Sequence, residues 1–389
     1  MKIAYCLDSI SRIGGIEKIT VLKANALAEI EGNEVFIIVA DHFSGCGYAD
    51  LLSIKVKMVN LDVCYYDTNW KTRLSGNIGL IKKKRHHKHL LRKVLFDIQP
   101  DIVISTGLLE KFILPEIKGN WITVREFHFP KNYRVLAYNG RSFFYKFVER
   151  LADLYEYGWQ LRKYDHIVIL TNEDKERNWT DTDSLSVIPN FIIPIDESNI
   201  IPQKDVRKVI AVGRLTAQKN FSSLIRAFRM VVDLHPDWIL EIYGNGQELT
   251  MLQSLIKKLH LKKYINLYGN TLNVQNKMCN SSIFVLSSIF EGFGLVITEA
   301  MSCGLPVVSY TCPCGPKDII TDGVDGFLVS TGDEQMLADK ICYLIENPDI
   351  RMKMGTAALK KSENYHIEKI IPMWMNLFER LLTEKRLHQ

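Results

Sequence analysis

Residues 287–306 read SSIFEGFGLVITEAMSCGLP, and the fold turns on how this stretch is read. The apolar run that ends near Ser287 reads as a buried strand. A helix is predicted from about Leu295 to Gly304, where a glycine supplies the C-cap and Pro306 opens the next strand. Between them lies a loop with Gly292 and Gly294 on either side of Phe293. Glycine lets backbone approach a ligand closely, because no Cβ intervenes. The amides of Gly294 and Leu295 then fall at a helix N-terminus, where unpaired N–H groups and the helix dipole favour a phosphate. Glu291 precedes the helix and Glu299 lies within it, so both carboxylates can flank one ligand and accept from sugar hydroxyls. The same letters also fit a plain helix with an acidic cap.

Outward from this stretch, strand-length apolar runs alternate with helical stretches along the whole chain. Lys2–Leu7, Glu34–Ala40, Asp101–Ser105, Trp121–Arg125 and His166–Leu170 read as strands, with a helix over Glu17–Glu31. A break with two prolines and no periodicity, from Asn190 to Pro202, reads as a linker. A second series follows, with strands at Lys208–Val212, Ile239–Tyr243, Ile265–Tyr268, Ile283–Leu286 and Pro306–Tyr310. Helices are predicted over Phe221–Leu234 and Leu249–Lys258. Strand, helix, strand in this order implies parallel sheets covered on both faces. At 389 residues the chain exceeds what one core supports, so two doubly wound domains facing each other are expected. Ligands of such sheets sit at the carboxyl ends of the strands, so a site between the domains is expected.

Upstream of the glycine loop, Gly213 ends a strand, and Arg214 and Lys219 lie in the turn that follows. An arginine can clamp a diphosphate with two parallel hydrogen bonds and a lysine adds a point charge. Gly244-Asn245-Gly246 lacks a third glycine and is not the first strand–helix turn, so it carries no dinucleotide meaning. In the first half, Gly14 and Gly15 open the first helix and permit close approach of a phosphate or sugar, or form a plain turn. His128 follows a strand, flanked by Phe127 and Phe129, where it is either structural or directed at a sugar hydroxyl.

Taken together, G-R-L-x-x-x-K at Gly213–Lys219, E-x7-E at Glu291–Glu299 and the glycine-bearing segment Gly315–Val329 resemble the family 4 retaining glycosyltransferases of GT-B fold. The resemblance implies an α/β fold of two Rossmann-like domains across a cleft. The first spans 1–192 and binds the acceptor. The second spans 193–365 and binds a nucleotide sugar, and the terminal helical segment 366–389 packs back on the first. It implies that Arg214 and Lys219 bind the donor diphosphate and that Glu299 holds the ribose. Glu291 contacts the sugar, backbone from Phe293 to Leu295 meets phosphate and sugar, and the Gly14–Gly15 loop and His128 face the cleft. The implied reaction is retaining hexosyl or N-acetylhexosaminyl transfer from a UDP-sugar to a saccharide or lipid-linked saccharide, during cell-surface polysaccharide assembly such as lipopolysaccharide or capsule.

Composition bounds the alternatives. Hydrophobic residues make up 47% and charged residues 24%, which is globular. No apolar run approaches the ~20 residues of a membrane span, and no signal peptide is read at the start. Eight scattered cysteines without a CxxC pair read as reduced thiols, and the location expected is cytoplasmic. No metal is expected: Cys312 and Cys314 lack further ligands, and Asp181-Thr182-Asp183 matches a D-x-D only in letters. No cofactor is expected beyond the nucleotide sugar. The net charge of +5 conceals 19 Lys/Arg against 8 Asp/Glu in 51–150. The densest segment, 82–93, reads either as a solvated helix face or as a contact for an anionic membrane. Without interleaved aromatics it does not read as a nucleic-acid platform. A nucleotide-sugar epimerase and a non-catalytic nucleotide-sugar sensor remain as alternative readings.

Overall fold

The computed structural model describes residues 1–11, 14–41, 47–63, 65, 73–137, 143–180, 182–195, 206–271 and 273–387. Among them the β-branched runs form two parallel sheets. The first holds β1 (Lys2–Leu7), β2 (Glu34–Val39), β3 (Val56–Asn60), β4 (Ile102–Ser105), β5 (Ile122–Glu126), β6 (His166–Ile169) and β7 (Leu185–Val187). Their order is β3-β2-β1-β4-β5-β6-β7. The second holds β8 (Lys208–Val212), β9 (Ile239–Tyr243), β10 (Ile265–Tyr268), β11 (Ile283–Leu286), β12 (Val307–Tyr310) and β13 (Gly326–Val329), in the order β10-β9-β8-β11-β12-β13. Both are doubly wound sheets.

Three strands are additions to the sequence reading: β3, β7 and β13. All three lie at sheet edges, where one side is open and a continuous apolar run is not needed. The first helix runs Gly15–Ala28, starting and ending earlier than its apolar face suggests. Residues 196–205 of the expected linker, Arg12 and Ile13 before the first helix, and Asp181 lie outside the described residues.

In each sheet the strand order reverses at one place. In the first it is between β1 and β4, and in the second between β8 and β11. Loops leaving such neighbours diverge to opposite faces and leave a crevice. Those loops include 8–11 and 106–109 in one domain and 213–220 and 287–294 in the other.

The terminal helix, Ile367–Leu387, buries Ile370, Ile371, Trp374, Leu377, Phe378 and Leu381 in one cluster with Ile3, Tyr5 and Ile19 of the first sheet and its first helix. A parallel bridge between Ile192 and His366 ties its start to the end of the first domain. No helix among the described residues is long and apolar enough to cross a membrane.

Candidate active site

The second domain builds its part of the site from the turns after β8 and β11. Gly244 and Gly246 pack so closely on this region that an added Cβ would strike the carbonyls of Gly213 and Leu215. Their role is close packing that seats the Arg214 turn. The Lys219 side chain lies over Gly213, whose hypothetical Cβ would stand 3.1 Å from the lysine Cδ and Cε. Lys219 Nζ then reaches Glu291 Oε1 at 2.6 Å. Ser288 donates its hydroxyl to the same oxygen at 2.5 Å, and the Glu291 amide donates to the Pro313 carbonyl at 3.0 Å. Gln218 clamps the loop by donating to the Phe290 carbonyl. Arg214 is exposed, and no described side chain pairs with its guanidinium.

Gly294 caps the helix Leu295–Ser302 with φ +90, a conformation that favours glycine. The amides of Leu295 and Val296 open that helix without an intrahelical acceptor, while the Ile297 amide donates to the Gly294 carbonyl at 2.7 Å. Phe293 is buried, its ring 5.7 Å from that of Tyr365, and Gly315 touches its carbonyl so closely that no Cβ fits. Leu295 packs against the cores of both domains.

The first domain closes over this loop. An added Cβ on Gly292 would collide with the His128 carbonyl, so the two domains meet backbone to backbone here. The His128 ring itself turns inward. Its side chain is 4% exposed, with Nε2 3.4 Å from Glu126 Oε1, and Lys23 Nζ pairs with that same oxygen at 2.5 Å. Burial pushes the His128 pKa down to about 4, although Glu126 opposes this. His128, Ile16, Thr106, Lys111, Arg125 and Tyr133 line a small cavity of about 20 Å³ on the first-domain side. Gly14 is the N-cap of the first helix, with Gly15 its first residue.

Glu299 has a different partner from Glu291. Its Oε1 is held at 2.6 Å by Nζ of Lys18, from the first helix of the opposite domain. The sequence reading missed Lys18. The signal was available: a lysine in the first turn of a helix opposes the dipole and needs a compensating anion. Glu173 was missed as well. It accepts from the Cys314 amide at 2.9 Å and lies 3.5 Å from Lys317, joining the domains behind the site. Cys312 and Cys314 are buried in this junction, and burial raises both thiol pKa values.

Solved structures similar to this one share the whole architecture. Sucrose-phosphate synthase of Thermosynechococcus elongatus superposes with a TM-score of 0.81, covering 99% of this chain and 100% of its own at 17% identity. TarM of S. aureus, solved with UDP and a saccharide, gives 0.75, covering 97% and 99% at 16% identity. Two Rossmann-like domains meeting at their switch points define the GT-B class. Residues 195–361 match the family described as Glycosyl transferases group 1. An uncharacterized glycosyltransferase of Methanocaldococcus jannaschii is 30% identical over 344 residues, spanning 76% of this chain and 83% of the relative. One of Haemophilus influenzae is 27% identical over 382 residues, spanning 97% and 99%. A poly(ribitol-phosphate) alpha-N-acetylglucosaminyltransferase of Staphylococcus aureus is 28% identical over 220 residues, 56% of this chain and 44% of its own. The chain belongs to the group 1 glycosyl transferases, of the family 4 type: it is a glycosyltransferase, with relatives in cell-surface polymer synthesis.

Proposed function

We propose that this enzyme transfers a hexose or N-acetylhexosamine from a UDP-sugar, with retention of anomeric configuration, to a saccharide or lipid-linked saccharide of a cell-surface polymer. The observation that carries the reading is the Lys219–Glu291 pair set beside the free helix start at Gly294–Leu295. As the glycosidic bond breaks, negative charge develops on the departing diphosphate. Fixed cations and helix amides stabilise such charge without reorganisation. Arg214 and Lys219 supply the cations, Glu299 takes the ribose hydroxyls, and Glu291 the sugar hydroxyls. The cavity beside His128 is the acceptor side. Attack on the face from which the diphosphate leaves, with its oxygen taking the acceptor proton, requires no covalent nucleophile. Closure of the cleft keeps water from hydrolysing the donor.

In this reading the cations perform the task of a divalent metal, so chelation leaves turnover unchanged. The reaction takes place in the cytoplasm, with the basic segment 82–93 toward the membrane. The relatives and TarM support the polymer and UDP assignments by analogy of fold and sequence. A thermal-shift panel of nucleotide sugars, followed by acceptor screening with the hit, tests the donor. Lys219→Ala should lose at least about a hundredfold in transfer. Near-normal turnover by that variant overturns the assignment. Conversion of the donor without any acceptor would instead favour an epimerase.

A further inference from the structure

A buried charged pair stands against His128 and takes no part in the transfer described so far. Glu126 ends β5 and Lys23 lies on the first helix, and each side chain is only 1% exposed. Lys23 Nζ donates to Glu126 Oε1 at 2.5 Å. Aromatic rings box the ammonium in: that of Trp374, from the terminal helix, lies 3.9 Å away and that of Tyr5 5.4 Å. Burial works against the Glu126 charge, but Lys23 and then His128 outweigh it, and the pKa falls below the usual carboxylate value. Glu126 is therefore an anion at neutral pH.

His128 faces that anion. Its Nε2 lies 3.4 Å from Glu126 Oε1. The contact is not closed into a hydrogen bond, and His128 Nε2 and Glu126 Oε2 are both buried without a partner among the described residues. Buried polar atoms left open are rare in folded proteins and call for a reason such as catalysis. Hydrogen bonds of catalytic groups are often long in the free enzyme and tighten when substrate binds. Burial holds the His128 pKa at about 4, with Glu126 working against this and Lys23 and Arg125 reinforcing it, so the ring is neutral. A neutral imidazole has one N–H and one lone pair, and a carboxylate accepts only from the N–H.

We propose that Glu126, anchored by Lys23, positions His128 by holding the imidazole proton on Nε2, which leaves Nδ1 as the acceptor for a hydroxyl of a bound sugar. Neither Glu126 nor Lys23 is exposed to the cleft, so both act through His128. The small cavity that His128 lines with Thr106 and Tyr133 has room for about one water-sized group, which fits a single hydroxyl. That the hydroxyl belongs to a sugar rests on the proposed function. A purely structural ion pair would account for Lys23 and Glu126, but not for the open Nε2 turned toward them.

Nitrogen NMR of the full chain with labelled histidine reads the tautomer without any sugar transfer. The His128 signals are assigned by their loss in His128→Gln. A neutral ring protonated on Nε2 is expected at neutral pH. Glu126→Gln should shift the proton toward Nδ1, and should lower kcat by about ten- to a hundredfold while the donor KM changes by less than about threefold. Lys23→Met with Glu126→Leu removes both charges together, which folds often tolerate for a buried pair. That double variant should show the same loss of kcat with an unchanged circular dichroism spectrum. A wild-type ring protonated on Nδ1, or charged at neutral pH, overturns the proposal. So does wild-type kcat in the double variant. Should either variant fail to fold, the tautomer in the unaltered chain still decides. Absence of transfer from every UDP-sugar would overturn the proposed function instead, and the spectra would still report on the Glu126–His128 contact.

Discussion

The ammonium of Lys18, in the first domain, lies 2.6 Å from Oε1 of Glu299, in the second. Burial works against the lysine charge, but Glu299 more than offsets it and raises the pKa above the usual lysine value. The ion pair thus spans the cleft at the carboxylate assigned to the ribose. Lys18→Met should raise KM for the donor by about tenfold with a smaller effect on kcat, because it removes a placement and not a reacting group. Lys18→Arg should restore most of it. Initial rates across donor concentrations read the split, and an unchanged KM contradicts the role.

Glu291 is gripped by both Lys219 and Ser288. Glu291→Gln keeps the shape and removes the charge. Turnover should fall by about a hundredfold while nucleotide binding, read by calorimetry with UDP, weakens far less. Equal losses in both would assign Glu291 to ground-state binding.

Gly292 has room for no side chain against the His128 carbonyl. Gly292→Ala must push the domains apart at the loop that carries Glu291. Transfer should drop at least about tenfold, since small displacements of reacting groups are costly. Circular dichroism should be unchanged. Wild-type rates in the variant would mean that the domains do not need this approach.

His87, His128 and His166 are each pushed down to about 4, chiefly by burial. Between that value and the ordinary 6.5 the unfolded chain binds more protons, so each histidine costs stability as pH falls through the window. Glu110 acts the other way. Burial, then the neighbouring Asp8, raises it to about 7, so its folded form gains a proton as pH falls. Three groups outweigh one. Acidification from about pH 7 to about pH 5 should remove a few kcal/mol, seen as a lower melting temperature. His87→Phe should blunt that drop. A flat profile would place these imidazoles in water.

Trp374 of the terminal helix is buried against the first sheet, with Lys23 Nζ 3.9 Å from its ring centre. Trp374→Ala should cost about 3–5 kcal/mol, measured by urea unfolding. A cost below about 1 kcal/mol would show that the helix merely rests there.

Alternating apolar runs were enough to read the central strands and both sheets' parallel sense, because strands covered on both faces must be continuously apolar. The edge strands β3, β7 and β13 carry no such demand and were not legible. The second-domain motif was legible for a related reason. Gly213, Lys219, Glu291 and Gly294 lie in two short loops, and local backbone chemistry constrains each letter.

What the amino-acid order determined by itself was therefore local: strand and helix periods, the glycine turns, and the chemistry of each loop. Tertiary structure alone decided who meets whom. Lys18 and Glu299 are separated by most of the chain, and His128 and Gly292 lie in different domains. Contacts of that range depend on how two sheets are set against each other. Periodicity decays within one element and holds no information on that placement, so the pairing of Lys18 with Glu299 emerged only in the folded chain.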